Sequence, residues 1–302
     1  MAEVVRGPVS DPQSVLALAA DAERADGIGP LSEQFRLGVA GPGPHVLLPD
    51  GAGYAGIVTP PAGGPGSIEA VVAPSHRGRG LGRELVTSAL DLAGPGATAW
   101  AHGDLPPARA LAAGLGLTPV RTLLNLRRPL AGLDPAPSAP TQGDDAVTVR
   151  TYAGPSDDAA LLEVNNAAFS WHPEQGGWGP EQIAERVNAE WFDPEGLFLA
   201  VADPVDADAD AGSGAGRLLG FHWTKVADPA SGLGEVYVVA VSPKAQGRGL
   251  GGLLTALGLH YLAARGLHTV ELYVEGDNAA ALRTYAKLGF TEHERHVAYA
   301  RE

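Results

Sequence analysis

Cysteine is absent and methionine occurs once in this chain of 302 residues. Without cysteine there can be no disulfide, no thiolate nucleophile and no thiolate metal site. No tight His–carboxylate cluster of the H-E-x-x-H kind is present, so no metal is expected. Basic side chains are outnumbered, with 21 Lys and Arg against 35 Asp and Glu, for a formal net charge of −14. A protein that grips a phosphate backbone needs a basic face, which argues against nucleic acid as a partner. An acidic surface suits solubility and, more weakly, a cationic small substrate. Long apolar runs are missing too: none reaches the roughly 18 to 20 residues of a membrane helix. Met1 to Pro8 lack a basic segment followed by an apolar one, so neither a signal peptide nor membrane attachment is expected, and the location expected is cytoplasmic.

Hydrophobic residues make up 45 % of the chain, enough for packed cores, and the length allows two domains of ordinary size. Residues Ala131 to Ala146 read A-G-L-D-P-A-P-S-A-P-T-Q-G-D-D-A, with no hydrophobic period. This is linker composition. It divides the chain into residues 1–134, a linker at 135–146 and residues 147–302. The two parts resemble each other. Val71 to Leu85 reads V-V-A-P-S-H-R-G-R-G-L-G-R-E-L, and Ala240 to Leu254 reads A-V-S-P-K-A-Q-G-R-G-L-G-G-L-L. Pro74 answers Pro243 at an offset of 169 (243 − 74), which also places Gly78, Gly80 and Gly82 on Gly247, Gly249 and Gly251. Further on, Gly114 to Leu117 answers Lys287 to Phe290 at an offset of 173 (287 − 114). A period this long is a duplicated domain rather than a solenoid repeat.

The second half shows the order of elements best. Strands are predicted at residues 148–150, 197–202, 218–226, 234–241, 269–274 and 296–300, and helices at 157–168, 251–265 and 278–288. The Asp-, Ala- and Gly-rich stretch 203–216 reads as a hairpin loop. Strands and helices alternating around one mixed sheet give an α/β (α+β) class, present twice.

The informative element is a strand, then Q/R-x-x-G-x-G, then a helix: Gln246 to Gly251 in the second half and Arg77 to Gly82 in the first. A glycine-rich turn opening a helix presents unpaired backbone N–H groups and the positive end of the helix dipole, which suits a pyrophosphate. Glycine lets the backbone come close and take positive φ, and Arg248 or Arg79 can add charge-assisted contacts. Alone, such a turn is commonly just a turn. It matches neither the P-loop nor the βαβ dinucleotide fingerprint.

The loop together with Glu275 to Phe290, read as N-x-x-A…Y-x-x-x-G-F, resembles the GNAT superfamily of acetyltransferases. The strings Asn165 to Trp178, Trp191 to Leu197, Gly220 to Lys225 and Leu233 to Val238, with the shorter Gly27 to Gln34, resemble its tandem-domain branch that forms mycothiol. The resemblance implies two tandem acyl-CoA N-acyltransferase domains with acetyl-CoA, as cosubstrate, between two splayed strands. Val239, Ala240 and Val241 would hold the pantetheine arm and thioester; Gln246, Gly247, Arg248, Gly249, Leu250, Gly251 and Gly252 would hold the pyrophosphate. Asn278, Ala279, Ala280, Ala281, Leu282 and Arg283 would line the other side. In the first half the matching set is Ala70, Val71, Val72, Gly78, Arg79, Gly80, Leu81, Gly82 and Arg83. The acceptor so implied is the cysteinyl amine of Cys-GlcN-inositol, touched by Glu174, Lys225, Glu235 and Tyr273, with Glu33 from the first half. A monomer is expected.

Aminolysis of a thioester needs a neutral amine, stabilisation of the oxyanion and a proton for the leaving thiolate. An α-amino group has a pKa of about 7.7–8.0, so a base helps. Glu235, early on the strand facing the thioester, is the candidate base, directly or through water; its plainer role is a paired surface carboxylate. Tyr285, seven residues after Asn278, is the candidate acid; its plainer role is helix packing. At the matching positions the first half has Ala112 and Leu105, so it is expected to be catalytically silent. His172 as a base is a weaker reading than a structural His. Trp171, Trp178 and Trp191 could stack on sugar faces, although core packing is the plainer use. Two alternatives remain: a GNAT enzyme acting on another small amine or a protein N-terminus, and a non-catalytic CoA-binding protein.

Overall fold

The computed structural model describes residues 3–5, 8–60, 64–138, 146–171, 175–202 and 216–301. Two compact units result. One comprises Met1–Leu124, Glu275–Asp277 and Glu294–Glu302; the other comprises Asn125–Val274 and Asn278–His293.

In the first unit the elements are β1 (Glu3–Val5), α1 (Pro12–Asp26), α2 (Glu33–Gly38), β2 (His45–Leu48), β3 (Gly53–Val58), β4 (Ser67–Val72), α3 (Leu81–Ala93), β5 (Thr98–His102), α4 (Pro106–Gly114) and the start of β6 (Leu117–Pro129). Its strands run in the order β1-β2-β3-β4-β5, followed by the chain's last strand, and only β4 and β5 pair in parallel. Leu85, Val86, Ala89 and Leu90, at helical spacing on α3, cover one face against Val46, Leu48 and Ile68. On the other face Val15, Ala19 and Ala22 of α1 meet Phe35, Tyr54 and Val71. This is a sheet with helices on both sides.

The second unit repeats the plan with β7 (Val147–Thr151), α5 (Asp158–Ala168), α6 (Pro180–Val187), β8 (Leu197–Ala202), β9 (Leu218–Lys225), β10 (Leu233–Val241), α7 (Leu250–Ala264), β11 (Thr269–Glu275) and α8 (Ala279–Lys287); the last strand, β12 (Thr291–Arg301), falls mostly in the first unit. The strand order is β11-β10-β9-β8-β7. Leu161 and Val164 of α5 and Ile183 of α6 pack with Phe221, Trp223 and Val238. Leu250 and Leu254 of α7 pack with Val147, Ala200 and Leu219. Of the stretch 203–216, read as a hairpin loop, residues 203–215 lie outside the described residues, as do residues 139–145 of the linker, His172 and Glu174.

A buried histidine joins sheet to helix. His222 of β9 is fully buried and its Nδ1–H donates to the Leu254 carbonyl at 2.8 Å. Burial pushes its pKa down to about 4, so the folded ring is neutral. The unfolded ring titrates near 6.5, so this stabilisation is complete above that pH and is lost as pH falls towards 4. We expect wild type to lose about 2–3 kcal/mol more stability than His222→Gln between pH 7 and pH 4.5, by urea unfolding followed in the second unit's tryptophans. Gly258 of α7 makes the close approach possible: a Cβ there would stand 2.0 Å from the His222 ring. Gly258→Ala should therefore cost about 1–3 kcal/mol through overpacking, read as a lowered urea midpoint at constant m-value.

Candidate active site

In each unit a pair of parallel strands is hydrogen-bonded at one end only. β10 and β11 pair through Leu233↔Thr269, Gly234↔Val270 and Glu235↔Glu271 and then diverge; β4 and β5 pair through Ser67↔Thr98, Ile68↔Ala99 and Glu69↔Trp100. Beyond Glu235, β10 pairs only with β9, through Val239↔His222, Ala240↔Phe221 and Val241↔Gly220. The backbone of Val239 to Val241 therefore faces an opened V on its β11 side. Such a slot suits an extended amide-bearing chain that can complete the ladder.

At the end of each diverging strand a Pro-led turn runs into the glycine-rich loop. Gly247 and Gly249 have φ of 81° and 77°, and Gly78 and Gly80 have φ of 75° and 81°, the left-handed region that only glycine takes at little cost. Gly249 and Gly80 are the N-caps of α7 and α3, and neither helix has a side-chain cap. The first-turn N–H groups that find no partner in their own helix suit an anion, although in α3 the Arg83 N–H already donates to the Gly80 carbonyl at 3.1 Å. The third glycine is different: Gly251 lies inside α7, where a Cβ would meet Val241 at an ordinary 3.9 Å. The residue that opens the motif has the same task in both units. Gln246 Nε2 reaches the Val241 carbonyl at 3.5 Å, and Arg77 Nε donates to the Val72 carbonyl at 3.1 Å, tying each loop to its strand end. Arg77 also forms a two-bond pair with Asp26. Arg79 donates to the Ser75 carbonyl. Arg248, Arg128 and Lys287, with His260 and Asp134, border a hollow of about 580 Å³ beside the second loop.

Asn278 is the N-cap of α8, its Oδ1 accepting from the Ala281 N–H at 3.1 Å. Ala279 to Arg283 form the first turns of that helix. Tyr285 follows near its middle. The ring stacks edge-on against Phe290 at 5.7 Å, and the hydroxyl has no hydrogen-bond partner among the described residues. The residue keeps some surface, yet desolvation of the hydroxyl pushes its pKa up to about 12. In the first unit α4 occupies the equivalent place, with Leu105 as an N-cap lacking a side-chain bond and Ala112 buried.

Glu235 stands across the ladder from Lys225, with Nζ 3.6 Å from the carboxylate. Lys225 also lies 5.5 Å from the Trp191 ring centre and 5.3 Å from that of Tyr237. Trp191, Trp223 and Tyr237 pack on one another. Glu271, beside Glu235 on β11, is held by Asn125 and Arg127. Tyr273 is exposed on β11. Trp178 is buried and Trp171 exposed; Trp191, partly buried, is packed into the aromatic cluster. Glu33 is exposed at the start of α2 in the first unit.

The first unit encloses a cavity of about 490 Å³ lined by Ala70 to Val72, Gly78, Gly80 to Arg83 and His102. Of the residues matched to the phosphate-side set there, Arg79 alone is not in its wall. His102 Nε2 is 3.0 Å from Glu69 and its Nδ1 is 3.1 Å from His296 Nδ1. Burial, then the neighbouring His102, lowers the His296 pKa to about 4.

Sequence reasoning missed Arg186, Tyr237 and Glu271. Tyr237 lies in the string Leu233 to Val238, and Arg186 lies on the polar side of a short amphipathic helix, where Ile183 and Val187 mark the packed face but nothing local marks the partner of the arginine.

The model of the acetyltransferase (GNAT) family matches residues 24–116 and 162–290. A mycothiol acetyltransferase of Tsukamurella paurometabola is 78 % identical over 301 residues, covering 99 % of each chain. One of Gordonia bronchialis is 57 % identical over 287 residues, covering 93 % of this chain and 88 % of its own. A tandem GNAT protein from the clavulanic acid biosynthesis pathway has the same fold, with a TM-score of 0.69 at 22 % identity over 99 % of this chain and 98 % of its own.

Proposed function

The chain belongs to the GNAT acetyltransferase family and is an acetyl-CoA-dependent acetyltransferase, and from that premise we propose that it acetylates the cysteinyl amine of Cys-GlcN-inositol, giving mycothiol and CoA. The full-length likeness to the Tsukamurella paurometabola enzyme supports this acceptor. The observation that carries the chemistry is the placement of Glu235, paired with Lys225, where β10 and β11 part.

Acetyl-CoA supplies the acyl group as a thioester. The uncapped start of α7 and the left-handed Gly247 and Gly249 fit its pyrophosphate, with Gln246 to Gly252 on one side and Asn278 to Arg283 on the other. Backbone groups of Val239, Ala240 and Val241 hold the pantetheine arm and orient the carbonyl. Glu235, directly or through water, takes a proton from the amine as the N–C bond forms. Tyr285 gives hydrogen-bond support, and finally a proton, to the sulfur as the C–S bond breaks. Glu174, Lys225 and Tyr273 bind the acceptor. Trp191 and Tyr237 offer aromatic faces of the kind sugars stack on. By sequence, residues 1–134 are the silent copy and residues 147–302, reached through 135–146, the catalytic copy, although Asn125 onward clusters with the second unit and Glu294–Glu302 with the first. The first copy's cavity can hold a CoA, while Ala112 has no proton to give. No helix among the described residues is long and apolar enough to cross a membrane, and the proposed site of action is the cytoplasm.

The test is CoA release from acetyl-CoA with Cys-GlcN-inositol, run beside polyamines, an aminoglycoside and an N-terminal peptide. Turnover confined to the cysteinyl glycoside is expected. Turnover only on other amines would overturn the acceptor, and none at all would favour a CoA-binding protein.

A further inference from the structure

Tyr237 occupies the one irregular position on β10. The register with β9 runs Val236↔Thr224 and then Val238↔Trp223, so Tyr237 is the extra residue of a β-bulge with no ladder partner on that strand. The in–out alternation of burial on β10 continues through the bulge, but with no residue opposite it on β9 the ladder does not fix where the Tyr237 side chain goes. Something else must, and Arg186 of α6 does so: its Nε–H donates to the Tyr237 hydroxyl at 2.9 Å. Arg186 is itself held on two further sides. Its guanidinium lies 4.1 Å over the Trp178 ring, and Nη1 donates to the Gln182 carbonyl at 2.9 Å. Trp178 is anchored in turn by Asn166 of α5, whose side-chain amide accepts from the Trp178 N–H at 2.9 Å and donates to its carbonyl at 2.8 Å.

From Tyr237 the chain of contacts runs into the site. The tyrosine ring packs edge-on to Trp191 at 5.1 Å, both rings face the Lys225 ammonium, and Lys225 pairs with Glu235. We infer that Arg186 and Tyr237 form a positioning pair for the amine acceptor, locking the bulge of β10 to the Trp178 loop so that Lys225 and Glu235 present a fixed polar edge between two aromatic faces. The Tyr237 oxygen accepts from Arg186, so its own O–H is left to donate to an acceptor oxygen, which suits a polyhydroxylated ligand. Arginine is required because one planar group stacks on Trp178 and donates along its edge at the same time; a lysine ammonium does one or the other. The contacts of the pair run to Gln182, Trp178 and Trp191 and not to Gln246 to Gly252, so acetyl-CoA binding should depend on it little.

This inference rests on the acceptor site proposed above, and the experiment keeps the two apart. Steady-state kinetics with acetyl-CoA and Cys-GlcN-inositol are measured for wild type, Tyr237→Phe, Arg186→Lys and the double variant, with a thermal melt of each. Tyr237→Phe keeps the ring and its packing and removes only the oxygen. Expected are an acceptor KM raised about tenfold or more in each single variant, an acetyl-CoA KM within about twofold of wild type, and a double variant no worse than the poorer single. An unmoved acceptor KM in Tyr237→Phe, independent additive losses, or equal shifts for both substrates tracking a lowered Tm would each overturn it. If wild type turns over a different amine instead, the proposed acceptor falls and the same split is read on that amine.

Discussion

Replacing Tyr285 by Phe lowers kcat by about 10²-fold and leaves both KM values within about threefold. The residue that remains still packs on Phe290, so the helix should hold its place and the loss should belong to the hydroxyl. Burial raises the phenol pKa to about 12, which keeps its proton in place at every working pH. The same shift limits what it can do. A thiolate has a pKa of about 8.5, so handing it a proton from a group at 12 is uphill before the bond breaks. The hydroxyl therefore acts chiefly as a hydrogen bond that strengthens while charge gathers on sulfur, and the expected loss sits at the low end of the 10²–10⁴ range for acid–base groups. Steady-state CoA-thiol release with both substrates varied gives the three constants. A fall in kcat of less than about threefold would return Tyr285 to packing, and a KM change without a kcat change would make it a binding group.

Much of the framework was legible in the sequence because it is written in short-range signals. The offset of 169 between the two glycine loops marked the duplication, and the left-handed φ at Gly78, Gly80, Gly247 and Gly249 explains why those positions must be glycine. The alternation on β10 and the apolar α7 gave their own elements. Other features are long-range and leave no local mark. Nothing in residues 180–187 signals that Arg186 reaches a hydroxyl 51 positions away, and the bulge at Tyr237 depends on how β9 pairs. Gln246 reads as part of a phosphate grip, and what the sequence does not show is that Gln246 and Arg77 each fasten their loop to its strand end. Nor could a linear reading show that Glu294–Glu302 cluster with the first unit, where His296 meets His102 and Tyr299 donates to Asp104 at 2.6 Å.

Glu235→Gln is the second substitution expected to cut deeply, with a fall in kcat/KM of about tenfold near pH 7 that grows below it and shrinks as pH rises. Glutamine keeps the shape and an oxygen for Lys225, 3.6 Å away, while the negative charge and the capacity to take a proton are lost. The acceptor's amine has a pKa of about 7.7–8.0, so below that range most of it is ammonium and one proton must leave before nitrogen can attack. With Glu235 present the site removes that proton after binding. Without it only the fraction already neutral in solution reacts, and that fraction drops tenfold for each unit of pH below the amine pKa. The deficit should therefore be largest near pH 6.5 and smallest near pH 9, where solvent has done the work. Measured against pH with the acceptor subsaturating, wild type should give the flatter curve and the variant a slope near one up to the amine pKa. A deficit that stays constant across this range would mean that the carboxylate orients Lys225 and the acceptor without moving a proton, and the base would have to be sought elsewhere on the diverging strands.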